Sequence, residues 1–131
     1  MPGLRILHVE DDELNQALVR AIVARSADPA VNGAQVVAAG SLALARAALA
    51  GGAFDVVLLD MRLPDGSGLD LAAEIQQGGG RGSPAVIALS GAAAEQSGAA
   101  LAAGCVAVLG KPYSPAYLSS LLGSYHPGQY E

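Results

Sequence analysis

The sequence predicts a single α/β domain, a five-stranded parallel sheet doubly wound with helices on both faces. Five short β-rich runs alternate strictly with five helix-like stretches over 131 residues, and such alternation implies right-handed crossovers between parallel strands. Two of the runs, at 55–59 and 85–89, are almost continuously apolar, the mark of strands covered on both faces. Hydrophobic residues make up 52% of the chain and charged ones 15%. That balance excludes disorder and lets a chain of this length stand on its core without disulfides.

The strands are expected at Leu4 to Val9, Gln35 to Ala39, Asp55 to Leu59, Ala85 to Leu89 and Val106 to Leu109. Residues 13–26 place Leu14, Leu18, Ile22 and Val23 at helical spacing. Residues 41–50 put Leu42, Ala45, Ala48 and Leu49 on one face, with Ser41 as the capping residue. Residues 67–77 carry Leu71 and Ile75, and the alanine-rich stretch 93–103 has only Leu101 as a large anchor. Residues 115–122 carry Leu118, Leu121 and Leu122. Glycines punctuate the joins at Gly40, Gly51-Gly52, Gly78-Gly79-Gly80 and Gly104. The run GGGRGSP at 78–84 precedes a strand instead of opening a helix, so it reads as a connection and not as a phosphate cradle. One domain over 1–125 is expected, with a short tail at 126–131.

Seven basic residues against twelve acidic ones give a net charge of −5, and the pI is near 4.8. This acidity argues against a broad grip on DNA or RNA backbones. No tract is long and apolar enough to cross a bilayer, and no charged-then-apolar leader opens the chain. Cys105 stands alone and cannot form an internal disulfide, so a cytoplasmic setting is expected.

Open α/β sheets bind ligands beyond the carboxyl ends of their strands. Those ends read Glu10-Asp11-Asp12 after strand 1, Asp60 after strand 3, Ser90-Gly91 after strand 4 and Lys111-Pro112 after strand 5. Each has an ordinary reading: acids cap helix starts, aspartates make turns, a serine caps, and a lysine is usually a solvated charge. Yet two carboxylates about 4 Å apart repel by roughly 4 kcal/mol at an effective dielectric near 20. Crowding several of them makes sense around a cation. Hard oxygen ligands without a His/Cys cluster favour Mg²⁺ over zinc. Asp60 follows the apolar run VVLL, where a carboxylate can act as ligand, base or nucleophile forming an acyl phosphate. A serine hydrolase is disfavoured, because Ser90 lacks a G-x-S-x-G frame and His8 and His126 are poorly placed. His8, inside strand 1, reads as a satisfied sheet histidine.

Three stretches stand in order at these strand ends. They are Ile6-Leu7-His8-Val9-Glu10-Asp11-Asp12, then Asp55-Val56-Val57-Leu58-Leu59-Asp60-Met61-Arg62-Leu63-Pro64-Asp65-Gly66-Ser67-Gly68, then Gly110-Lys111-Pro112-Tyr113. Each is modest alone, and together they are specific. The chain resembles the receiver domain of bacterial two-component response regulators over nearly its whole length. The resemblance implies a flavodoxin-like (βα)5 fold with strand order 2-1-3-4-5. It implies that Asp60 accepts a phosphoryl group from a sensor histidine kinase or a histidine phosphotransfer protein. It further implies that Asp11 and Asp60 ligate Mg²⁺ directly, that Glu10 acts largely through water, and that the Arg62 backbone carbonyl completes the protein ligands. Ser90 would close onto the phosphoryl group and Lys111 would pair with it, aimed by a cis Lys111-Pro112 bond. The resulting protein is a switch that catalyses only its own phosphotransfer and dephosphorylation, and in that sense no enzyme.

One position departs from the family. Three residues before the lysine, where an aromatic residue or histidine is usual, stands Val108. Signalling would then run through loop rearrangement or through Tyr113. Arg62 and Ala92 occupy places that tune phosphoryl lifetime in the family, and Asn15 ends a run similar to receivers attached to hybrid kinases. Expected partners are the phosphodonor, a downstream protein, and a second copy of the chain on phosphorylation; nucleic acid and membrane are not expected. The family docks partners on the face of the fourth helix, fifth strand and fifth helix, and the weakly anchored helix at 93–103 is expected to be its mobile element. Two rivals remain. A pseudo-receiver would keep the fold without phosphorylation. An aspartate-nucleophile phosphatase usually needs an acid where Arg62 stands.

Overall fold

A strand in the middle of a parallel sheet must be apolar on both sides, and β3 (Val56–Asp60) meets that demand, with all five residues buried. The computed structural model describes residues 4–78, 83–91 and 93–125. Beside β3 lies β1 (Arg5–Val9), followed outward by β2 (Gln35–Ala39); on its other side lie β6 (Ala85–Ser90) and then β7 (Ala107–Gly110). All four pairings are parallel. The order β2-β1-β3-β6-β7 is the flavodoxin-like 2-1-3-4-5 order when only the main-sheet strands are counted.

Side chains alternate across the sheet and so build two cores. Leu7, Val9, Val57 and Leu59 face the layer of α3 (Leu42–Gly51), α4 (Gly68–Gln77) and α5 (Ala93–Ala102). Leu4, Ile6, Val56, Leu58, Ile87 and Leu89 face α1 (Glu13–Ala24) and α6 (Pro115–Gly123). Asp12, Ser41, Ser67 and Ser114 cap α1, α3, α4 and α6 through side-chain oxygens.

The structure corrects several expectations. Strands 3 and 4 run one residue further than expected, so Asp60 and Ser90 end their strands instead of following them. The first helix stops at Ala24, where Arg25 caps it. Its buried stripe is Val19, Ile22 and Val23, while Leu14 is 80% exposed and Leu18 also faces solvent. Among the described side chains of α5 the buried one is Ala100, and Leu101 is 53% exposed. Ala100 shares its layer with Val86, Ala88 and Cys105. Two short elements were not foreseen: α2 (Pro29–Asn32), and a hairpin of β4 (Arg62–Leu63) and β5 (Gly66–Ser67).

Ala92, residues 79–82 of the 78–84 connection and the 126–131 tail with His126 lie outside the described residues. Cys105 is buried and unpaired. Among the described residues no helix is long and apolar enough to cross a membrane.

Candidate functional site

Parallel strands end together, so β1, β3, β6 and β7 deliver their last residues to one edge. Glu10 follows β1, its amide bonded to the Ala39 carbonyl at 2.9 Å, and its side chain is 1% exposed. Gln16 of α1 donates its side-chain amide to the Glu10 carbonyl at 2.7 Å, which pins the turn from strand to helix. Asp60 is 8% exposed and Asp11 lies open to solvent. One carboxylate oxygen from each of Glu10, Asp11 and Asp60 falls within 4.8 Å of the others. This is an all-oxygen donor set with one ligand at the water boundary, and it fits a hard divalent ion that keeps several waters.

The third acid has a different role. Asp12 accepts from the Leu14 amide at 2.8 Å and caps α1, and Asn15 reaches the same carboxylate at 3.4 Å. Its ordinary reading is the correct one.

Lys111 bridges the two buried carboxylates, with Nζ 3.2 Å from Glu10 Oε1 and 3.2 Å from Asp60 Oδ2. Its amide donates to the Ser90 carbonyl at 2.8 Å, tying the lysine turn to the end of β6. The Lys111-Pro112 bond is cis, as expected. Burial pulls the ammonium pKa down, but the Asp60 and Glu10 charges outweigh it and hold Lys111 above its usual value. Burial, and then the Asp60 charge, push the Glu10 carboxyl up; Lys111 offsets part of this. The site is short of positive charge even with the lysine in place.

Ser90 is 2% exposed at the end of β6, which pairs with β3 through Asp60↔Leu89 and with β7 through Ser90↔Gly110. Arg62 is exposed, and its amide donates to Asp60 Oδ1 at 3.2 Å. Val108 packs at the margin of the core under α3, α4 and α5, whereas Tyr113 packs against the opposite core. The two therefore lie on different faces of the sheet. Burial raises the Tyr113 phenol pKa.

His8 is fully buried, as a sheet histidine should be, but it is not satisfied. Neither ring nitrogen has a hydrogen-bond partner among the described residues. Burial, followed by the Lys111 charge, lowers its pKa to about 4.

Sequence reasoning missed two supports of the site. Gln16 stands one turn into α1, with only its distance from Glu10 as a signal. Asp65 sits in a Pro-Asp-Gly run that signals a turn, and nothing local shows what its carboxylate would hold.

A doubly wound parallel sheet that gathers three carboxylates and an ammonium at its carboxyl edge is the architecture of a signalling receiver. The family model for the response regulator receiver domain matches residues 6–122, and the chain belongs to that family. The aerobic respiration control sensor protein ArcB of Escherichia coli is 32% identical over 126 residues. That match covers 95% of this chain and 15% of the relative, so the chain spans only a small part of the curated proteins it matches. Among solved structures, the receiver domain of a Pseudomonas aeruginosa sensor histidine kinase, with a magnesium ion coordinated in its active-site cleft, is 27% identical with a TM-score of 0.78. The match covers 94% of this chain and 97% of that one. A CheY-like receiver domain protein of Methanospirillum hungatei is 26% identical, also with a TM-score of 0.78, over 94% of this chain and 96% of that one.

Proposed function

We propose that this receiver is a phosphorylation-controlled switch whose phosphoacceptor is Asp60. The observation that carries the reading is the placement of Asp60, nearly buried at the end of β3, with Lys111 Nζ 3.2 Å away. In the proposed step an Asp60 oxygen attacks the phosphorus of a phosphohistidine on a sensor histidine kinase or phosphotransfer protein. The P–N bond breaks, its electron pair stays on the imidazole, and an acyl phosphate forms. Catalysis of such a transfer is positioning and charge neutralisation, which is what a fixed carboxylate beside a fixed ammonium supplies.

Glu10, Asp11, Asp60 and the Arg62 carbonyl would hold Mg²⁺; the clustering of the three carboxylates supports their part in it, and the relative with magnesium in its cleft supports the choice of ion. When bound, the ion offsets the negative charge of the acids and of the incoming phosphoryl group. The new group adds about −1.5 to −2 charges, which draws in the Lys111 ammonium and the Ser90 hydroxyl. A Cβ at Gly91, next to Ser90, would meet nothing within 4 Å, so nothing among the described residues crowds that position. The resulting rearrangement controls docking of a downstream protein or of a second copy of the chain. On this reading the chain turns over no external substrate beyond its phosphodonor, and it works in the cytoplasm with its donor.

Incubation with acetyl phosphate and Mg²⁺, followed by intact-mass analysis, tests the reading. One added phosphoryl group is expected on the wild type, with none on Asp60→Asn and none in EDTA. An unlabelled wild type, or undiminished labelling of Asp60→Asn, overturns it.

A further inference from the structure

We propose that Asp65 is a positioning residue for the metal site, clamping the hairpin that presents the Arg62 carbonyl. The inference rests on the Mg²⁺ reading above and adds to it a residue outside the acidic cluster. β4 begins two residues after Asp60, and the Arg62 amide already donates to Asp60 Oδ1. The direction of the Arg62 carbonyl is therefore set by the hairpin. That hairpin pairs only Arg62↔Ser67 and Leu63↔Gly66, and so short a ladder is marginal by itself in water. It needs an anchor.

The anchor is at its tip. One Asp65 carboxylate oxygen accepts from the Leu42 amide at 2.8 Å, and the other accepts from the Ala43 amide at 3.0 Å. Both donors belong to the first turn of α3, which Ser41 also caps through the Leu44 amide at 3.1 Å. Hairpin and helix touch directly, since a Cβ at Gly66, whose φ is +149°, would come 2.8 Å from Leu42 Cδ1. Far from the tip, Arg46 of α3 binds Glu74 of α4 through two hydrogen bonds of 2.8 and 2.6 Å. α4 in turn follows directly from β5. Hairpin, α3 and α4 form a closed loop of contacts, and Asp65 is the side-chain link that ties the hairpin tip to α3. The two backbone donors also hold the Asp65 carboxyl below its usual pKa, so the clamp stays charged through the neutral range.

Calorimetric Mg²⁺ titration of the whole chain tests this against two controls. Asp65→Ala should bind Mg²⁺ about tenfold or more weakly, the usual loss when a group orienting a metal ligand is removed. Asp65→Asn keeps one acceptor and should recover most of the affinity, and it serves if the alanine variant fails to fold. Ser41→Ala removes a different cap from the same helix, so it should lower the melting temperature while leaving Mg²⁺ affinity unchanged. Wild-type affinity in Asp65→Ala, or an equal loss in Ser41→Ala, overturns the positioning role alone. A wild type that binds no Mg²⁺ overturns the metal reading and this inference together.

Discussion

Lys111 Nζ lies 3.2 Å from Asp60 Oδ2, and the same ammonium lies 3.2 Å from Glu10 Oε1. One cation thus separates two carboxylates that the sheet has largely removed from water. Lys111→Ala should stay folded but lose about 1–3 kcal/mol, the cost of leaving buried charged groups unpartnered. Mg²⁺ should return part of that loss, because a ligand that binds only the native state stabilises it. Urea denaturation with and without Mg²⁺ measures both. Equal stability of variant and wild type without metal would remove the structural part of the lysine's role.

Glu10 should make metal binding depend on pH. Its carboxyl is pushed up by burial and by Asp60, so protons compete with the ion above the ordinary carboxylate range. Mg²⁺ affinity should fall as pH drops through that raised value. Glu10→Gln should bind more weakly at neutral pH and show a shallower pH profile. Titration calorimetry at several pH values is the check.

His8 should be replaceable at a gain. A buried imidazole without partners costs about 1–3 kcal/mol, and Leu4 and Ile6, which share its side of the sheet, belong to the apolar core under α1 and α6. His8→Leu should therefore raise stability by that order. The unfolded chain takes up a proton near 6.5, whereas native His8 does so only near 4. Stability is thus highest, as far as this group's titration goes, above 6.5, and about 3 kcal/mol is lost as pH falls from there to about 4. Denaturation of the metal-free protein over that range should show the slope, and His8→Leu should lack it.

Gly68 should tolerate no side chain. A Cβ there would be driven into the Asp60 carbonyl oxygen and would crowd Met61 and Leu59. Gly68→Ala should cost about 1–3 kcal/mol or more, as overpacking does, and should slow labelling by acetyl phosphate because the obstructed atom belongs to Asp60. Loss of stability with normal labelling would separate the glycine from the site.

Much of this was legible in the sequence. Alternation of apolar runs gave five strands, and the polar residues at four of the five strand ends led to Asp60 and Lys111. The phase of the helices was not legible. Periodicity reports the spacing of apolar residues, but the choice of buried stripe depends on what the sheet offers. Hence Leu14 and Leu101 point outward while Val19 and Ala100 are buried. The Arg62–Ser67 hairpin is too short to show a strand period. The hold of Asp65 on α3 links residues more than twenty positions apart, so no local pattern announces it. His8 reads as an ordinary core residue because the lack of a partner is a property of its surroundings.

The strand order also puts a seam at Asp60. Glu10 and Asp11 come from the β1 side, and Ser90 and Lys111 come from the β6 and β7 side. Residues 4–60 therefore supply all three acids, and the chain that follows supplies the serine and the lysine. A split of the polypeptide in the 78–84 connection would leave fragments holding complementary halves of the site. Only reassembly that rebuilds the β3–β6 ladder, together with the packing of α6 on α1 and α2 and of α5 on α4, would restore it, so recovered phosphorylation would report on that whole junction.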